Sequence, residues 1–381
     1  GDGRASDQPA SRVGFPGGIQ MMASRFRTIV GTGGVGTGLV FRSGSNRTLG
    51  RNESRLASLT DVRDYCKLHI VFHYLGKMLS PAAKIVAASI VGEDEAGDSC
   101  IAMMERAGIH TGCIKRSDSA PTMQSMCLIY PDNAGCNVTA ENSACNQVDT
   151  TYIERVFAGL DLREPFAAVA LPEVPFEARQ LLLKLGREAG GFCVTTVPSA
   201  DAQRFIREGG FSFCDLLAIN IDEAAALCGV EGIPTVEAGR RCLEKLARKW
   251  PETKIWMTLG KLGSLTAEEG RIQWQEALSV PEIRSTAGAG DAGLAGILCG
   301  LSLGLPFCKQ GDEVRWAETP LGSAVEMGIL FSGISIESAD SIAAQLDWRY
   351  LYERISAEQW EMEPLFQEIV TEGAKQHEIR V

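Results

Sequence analysis

The chain has 381 residues, 45% hydrophobic and 22% charged, with a formal net charge of −11. That length and apolar content suffice for one large α/β domain with an appendage, or for two domains. The acidic balance argues against a nucleic-acid or anionic-membrane surface, and no apolar run reaches bilayer-spanning length, so neither partner is expected.

Residues 1–26 are polar and rich in Gly, Ser, Ala and Arg without periodic apolar positions, which predicts a flexible lead; Met21-Met22 is a candidate natural start. Arg27-Thr28-Ile29-Val30 reads as a strand entering Gly31-Thr32-Gly33-Gly34-Val35-Gly36. Gly31, Gly33 and Gly36 satisfy the G-x-G-x-x-G dinucleotide fingerprint, which demands a following helix. The chain continues Leu39-Val40-Phe41-Arg42-Ser43-Gly44-Ser45-Asn46, which disfavours a helix and with it a nicotinamide-dependent enzyme. Arg42, Arg47, Arg51, Arg55, Arg63 and Lys67 make a local basic excess: a solvated loop, or, through Arg47 or Arg51, a grip on an acidic or phosphorylated ligand.

A helix is predicted over 64–79. Its His69 and His73 have metal-clip spacing but no Glu between them in the zincin position, so packing or a substrate-facing role is expected. A strand over 84–91 leads through Gly92 and Gly97 into a helix that stops at Gly108. Residues 123–130 with the turn Pro131-Asp132-Asn133-Ala134-Gly135 predict a hairpin. Strands over 166–171, 191–197, 215–219 and 254–259 then alternate with helices over 177–188, 222–227 and 236–249. Such alternation builds a mostly parallel, doubly covered sheet. The tail from Asp347, with Trp348, Leu351 and Trp360, predicts helices docked on the body. The twelve cysteines, scattered from Cys66 to Cys308 without a C-x-x-C pair, read as reduced core residues of a cytoplasmic protein rather than disulfides or zinc ligands.

Ligands of such sheets sit at the carboxyl ends of strands. Asn220 and Glu223, three apart at a helix start, share a face suited either to hydrated Mg²⁺ or to a capping box. Thr258, Gly260 and Gly263 follow the next strand, where the glycines permit close approach to a ligand or a plain hairpin turn. Ser285-Thr286-Ala287-Gly288-Ala289-Gly290-Asp291 precedes a small, apolar run to Leu298. Bare amides at a helix start form an anion hole, and Asp291 stands where a base for an attacking hydroxyl is needed. The plainer reading is a tight turn with an acid favoured by the helix dipole.

In this order Gly92-x-Asp94-x-x-Gly97, Asn220-x-x-Glu223, Thr258-x-Gly260-x-x-Gly263 and Thr286-Ala287-Gly288-Ala289-Gly290-Asp291 resemble the ribokinase-like (PfkB) carbohydrate kinase family, over roughly residues 27–345. The resemblance implies a Rossmann-like α/β fold: a doubly covered, mostly parallel sheet with a small β lid. The kinase domain would span 27–345, with the lid drawn from parts of 32–63 and 110–147, followed by a C-terminal helical extension over 346–381. It also implies ATP-dependent, Mg²⁺-assisted phosphoryl transfer to a hydroxyl of a sugar or sugar-like small molecule. Asp291 would be the base, and Gly288, Ala289 and Gly290 would belong to the anion hole. Asn220 and Glu223 would serve Mg²⁺ through water, with Thr258, Gly260, Gly263 and Thr286 near the nucleotide. Family members often pair through the lid, so a homodimer is open to this chain.

The departures from the family fall on the substrate side. Gly36 stands where a sugar-gripping Asp is usual, and the family's G-G-x-x-x-N segment falls, by distance from Leu75-Gly76, on Asp64-Tyr65-Cys66-Lys67-Leu68-His69, without its glycines or Asn. Ser285 replaces an Asp, which weakens the case for a monovalent cation, and Gly293 replaces a Phe. Substrate contacts are expected around Gly34, Gly36, Arg47 and His69. The same departures motivate the alternative of a nucleotide- or sugar-binding sensor with altered catalysis.

Overall fold

The computed structural model describes residues 13–14, 20–21, 23–132, 135–316 and 318–380. Most of the expected leading segment lies outside them, as do Met22 and the turn residues Asn133 and Ala134. Among the described residues no helix is long and apolar enough to cross a membrane.

Ten strands form the central sheet. Its parallel part runs in spatial order Ile109–His110, Lys84–Ala88, Thr28–Thr32, Phe166–Ala170, Phe192–Thr196, Leu216–Asn220 and Lys254–Thr258. An antiparallel hairpin, Ser264–Glu268 and Arg271–Gln275, follows, and the short Glu313–Val314 strand closes that edge. Buried parallel strands carry apolar residues on both faces. Ile29, Val169, Leu216 and Trp256 enter one core and Val30, Ala168, Leu217 and Ile255 the other. The first core is roofed by the helices Lys67–Leu79, Ala289–Ser302 and Ala324–Ile336, the second by Phe176–Glu188 and Val236–Lys249. The expected doubly covered, mostly parallel sheet is present.

A separate four-stranded sheet holds Gly135–Thr139, Met123–Ile129, Gly36–Ser43 and Ala57–Tyr65 in that order. The predicted hairpin is its antiparallel 123–129/135–139 pair.

Four expectations need correction. Asp64 and Tyr65 end a strand of this second sheet, and the helix predicted from residue 64 starts at Lys67. The single strand predicted over 84–91 divides at Ser89, whose hydroxyl donates to the Gly33 carbonyl at 2.7 Å, and its halves join different sheets. The described end of the lead belongs to the body: Phe26 is buried and stacks on Phe192 at 5.5 Å. Cys228 and Cys242 form a disulfide, because neighbouring helices bring their Cα atoms to 6.0 Å; the other ten cysteines are free.

The tail forms the helices Trp348–Ala357 and Pro364–Arg380. Leu351, Ile355, Phe366 and Val370 are buried in the first core, and the Trp348 indole N–H donates to the Met78 carbonyl at 2.8 Å.

Candidate active site

The 285–291 segment turns sharply before a helix. Gly288 caps the Ala289–Ser302 helix at φ 77°, a left-handed conformation that side chains disfavour, and a Cβ there would strike the Ser341 backbone. The Ser285 hydroxyl accepts from the Ala287 N–H at 3.2 Å, which holds the turn in shape. Amides in the first turn of a helix have no carbonyl partner within it, so this end is electropositive.

Two cavities meet at this segment. The larger, about 740 Å³, is lined by Asn220, Thr258, Gly260, Gly263, Thr286 and Gly290. Ala289 belongs to the same wall. The smaller, about 340 Å³, is lined by Asp64, Lys67, Glu173, Thr286, Gly288 and Asp291. Thr286 faces both, so the anion-hole candidate is the partition between them.

Asp291 is buried in the first turn of its helix, with Lys67 Nζ 3.4 Å from its Oδ1. Burial raises its pKa and the ammonium opposes that rise. Lys67 opens the Lys67–Leu79 helix, and its backbone N–H donates to Glu173 Oε2 at 2.9 Å. Glu173 follows the Phe166–Ala170 strand in a left-handed conformation, φ 72°, uncommon for a residue with a side chain. Desolvation lifts its carboxyl to about 7 against the pull of Lys67. Gly34 is where it is because a Cβ there would overlap Glu173.

Asn220 and Glu223 form a complete capping box. Asn220 Oδ1 accepts from the Asp222 and Glu223 amides, both at 2.9 Å, and Glu223 Oε2 accepts from the Asn220 amide at 2.9 Å. Glu223 lines neither cavity, but its carboxyl, raised by burial, is felt by both Lys67 and Asp291. Asn220 and Asp222 face the larger cavity. These are hard oxygen donors, the class that suits a Mg²⁺ retaining most of its waters. Gly260 and Gly263, at φ 58° and 89°, shape the turn between antiparallel strands as well as the cavity wall.

The expected acceptor contacts fare differently. Gly34 touches the smaller cavity only through the room it leaves for Glu173. Gly36 lies in a strand against Met123, whose backbone a Cβ would strike. Arg47 is exposed and bonded to Glu53. His69 is fully buried, its ring 4.7 Å from Tyr65 and 6.5 Å from His73. None of Gly36, Arg47 and His69 lines the cavity beside Asp291. Asp64, Lys67 and Glu173 do, none of them expected there from the sequence. Glu173 carried a usable signal, a carboxylate just past the carboxyl end of a predicted parallel strand.

Residues 70–347 match the profile described as pfkB family carbohydrate kinase. No curated protein matches the chain. Similar solved structures include ribokinase from Giardia lamblia, at 20% identity and TM-score 0.66, covering 82% of this chain and 94% of that one. Ribokinase from Cryptococcus neoformans var. grubii serotype A in complex with ADP has 18% identity and TM-score 0.69, covering 86% and 99%. Adenosine kinase from Sinorhizobium meliloti has 17% identity and TM-score 0.61, covering 84% and 97%. At such identities the likeness is one of fold: this chain has the ribokinase-like architecture.

Proposed function

The chain belongs to the pfkB family of carbohydrate kinases, and from that premise we propose that it transfers the terminal phosphoryl group of ATP to a hydroxyl of a sugar or sugar-like small molecule. The observation that carries this reading is the partition at 286–290, with room for a nucleotide on one side and a small polar acceptor beside Asp291 on the other. Asp291 takes the hydroxyl proton as the acceptor oxygen bonds to the γ-phosphorus. The bond from that phosphorus to the β–γ bridging oxygen breaks, and its electron pair leaves with ADP. The backbone amides at Gly288, Ala289 and Gly290 face the charge on the passing phosphoryl group. A base of this kind contributes on the order of 10²–10⁴ in rate, and an anion hole about 3 kcal/mol.

Thr258, Gly260, Gly263 and Thr286 border the nucleotide. Asn220, with Glu223 behind it in the capping box, would hold Mg²⁺ through its waters, where the ion would neutralise phosphate charge. The second sheet, whose Val40, Cys127 and Asn137 line the acceptor cavity, serves as the lid of a kinase domain over 27–345, and 346–381 is an extension that braces the body.

ADP release from Mg-ATP across a panel of sugars, nucleosides and sugar phosphates tests the reading. Consumption of ATP matched to one acceptor supports it. ATP binding with no acceptor-dependent turnover anywhere in the panel favours the sensor instead.

A further inference from the structure

Lys67 is the point where the acidic groups around Asp291 converge. Its side chain reaches Asp291 and its backbone N–H holds Glu173, so one residue at a helix start ties together carboxylates from two distant segments. Its ammonium is also felt by Glu223 of the 220–223 capping box. The other carboxyls facing Asp291 are Asp64 from the second sheet, Glu173 and Glu223, with the Tyr74 phenol two turns along the helix from Lys67. Arg63 and Arg284 line the same cavity but are engaged elsewhere, Arg63 with the Tyr65 hydroxyl and Arg284 with Glu282 at 3.2 Å.

We propose that Lys67 is a positioning residue for the transfer, its ammonium holding the Asp291 carboxylate ionised and aimed within the wall between the cavities. The proposal rests on Asp291 being the base. The physical need is plain. A buried carboxylate surrounded by other acids takes up a proton unless a cation is held against it, and a protonated carboxyl cannot accept one from a hydroxyl. A neutral side chain at position 67 would leave Asp291, Glu173 and Glu223 to share protons among themselves.

The test uses the full chain labelled with [4-¹³C]aspartate. The Asp291 carboxyl resonance is the one missing in Asp291→Asn, and it is titrated in the native chain, Lys67→Met, Lys67→Gln and Lys67→Arg, each checked for native circular dichroism. The expected midpoint rises by about one pH unit or more in Lys67→Met and Lys67→Gln and stays near the native value in Lys67→Arg. The acid limb of ADP release from Mg-ATP shifts the same way. An unmoved midpoint in either folded neutral variant overturns the proposal. So does a native Asp291 titrating above about pH 6, which also decides the matter if neither neutral variant folds. Failure of the underlying reading is separate: an Asp291→Asn chain that keeps acceptor-dependent ATP turnover removes Asp291 as base whatever the titration gives.

Discussion

Gly293 and Trp256 are complementary: a Cβ on Gly293 would run into the outer edge of the Trp256 indole and the Ser332 hydroxyl. Trp256 is buried on a central strand and lines the larger cavity. The bulk of Trp256 on the facing strand leaves no room for a side chain at position 293. Gly293→Phe is therefore expected to overpack the wall. The expected cost is about 1–3 kcal/mol of stability, read as a lower urea midpoint, together with weaker ADP binding by calorimetry. Native ADP affinity in that variant would mean the cavity does not take nucleotide at Trp256.

Asp291→Asn keeps the shape of the partition and removes only the proton acceptor. With an acceptor in hand, kcat should fall by about 10²–10⁴ while ADP affinity changes little. A parallel loss of nucleotide affinity would assign Asp291 to binding rather than proton transfer.

Gly34→Ala should act through Glu173. The added methyl needs the space that the Glu173 side chain occupies, and Glu173 is fixed by the Lys67 amide. Displacement of a cavity wall by about 1 Å can cost up to about 10²-fold, so a rise in acceptor KM or a fall in kcat is expected with ATP KM near native. Equal losses for both substrates would show that the damage spreads past the smaller cavity.

His69 and His73 bury imidazoles whose nitrogens have no hydrogen-bond partner among the described residues. Burial pushes their pKa values down to about 3 and about 4. Between those values and the unfolded value near 6.5 the unfolded chain binds more protons, so stability falls as pH drops below about 6.5, by up to about 1.4 kcal/mol per pH unit for each ring. Glu173 has the opposite sign: raised to about 7, it loses stability as pH climbs from its unfolded value near 4.5. Comparing native and His69→Phe chains isolates the histidine contribution. Urea midpoints measured from pH 7.5 to 5 should fall less steeply in the variant, and identical slopes would rule out His69 as the source.

The turns and caps from which the proposed phosphate side is built were legible in the sequence because their parts are local. A turn of small residues with an acid three positions into a helix, a capping box spanning Asn220 to Glu223, and glycines at left-handed turns are each decided by neighbours a few residues away. The alternation of strands and helices was legible for the same reason, since burial on both faces writes itself as continuous apolar runs. The residues that gather beside Asp291 were not. Asp64, Lys67 and Glu173 come from separate strand and helix ends, and which side chain lines a shared cavity is set by how those elements pack. Sequence spacing placed attention on Gly36, Arg47 and His69. Strand pairing buried the first, an ion pair with Glu53 engaged the second, and the core took the third. The Cys228–Cys242 disulfide and the close approach of Gly293 to Trp256 depend likewise on distances between elements, which the tertiary structure alone decides.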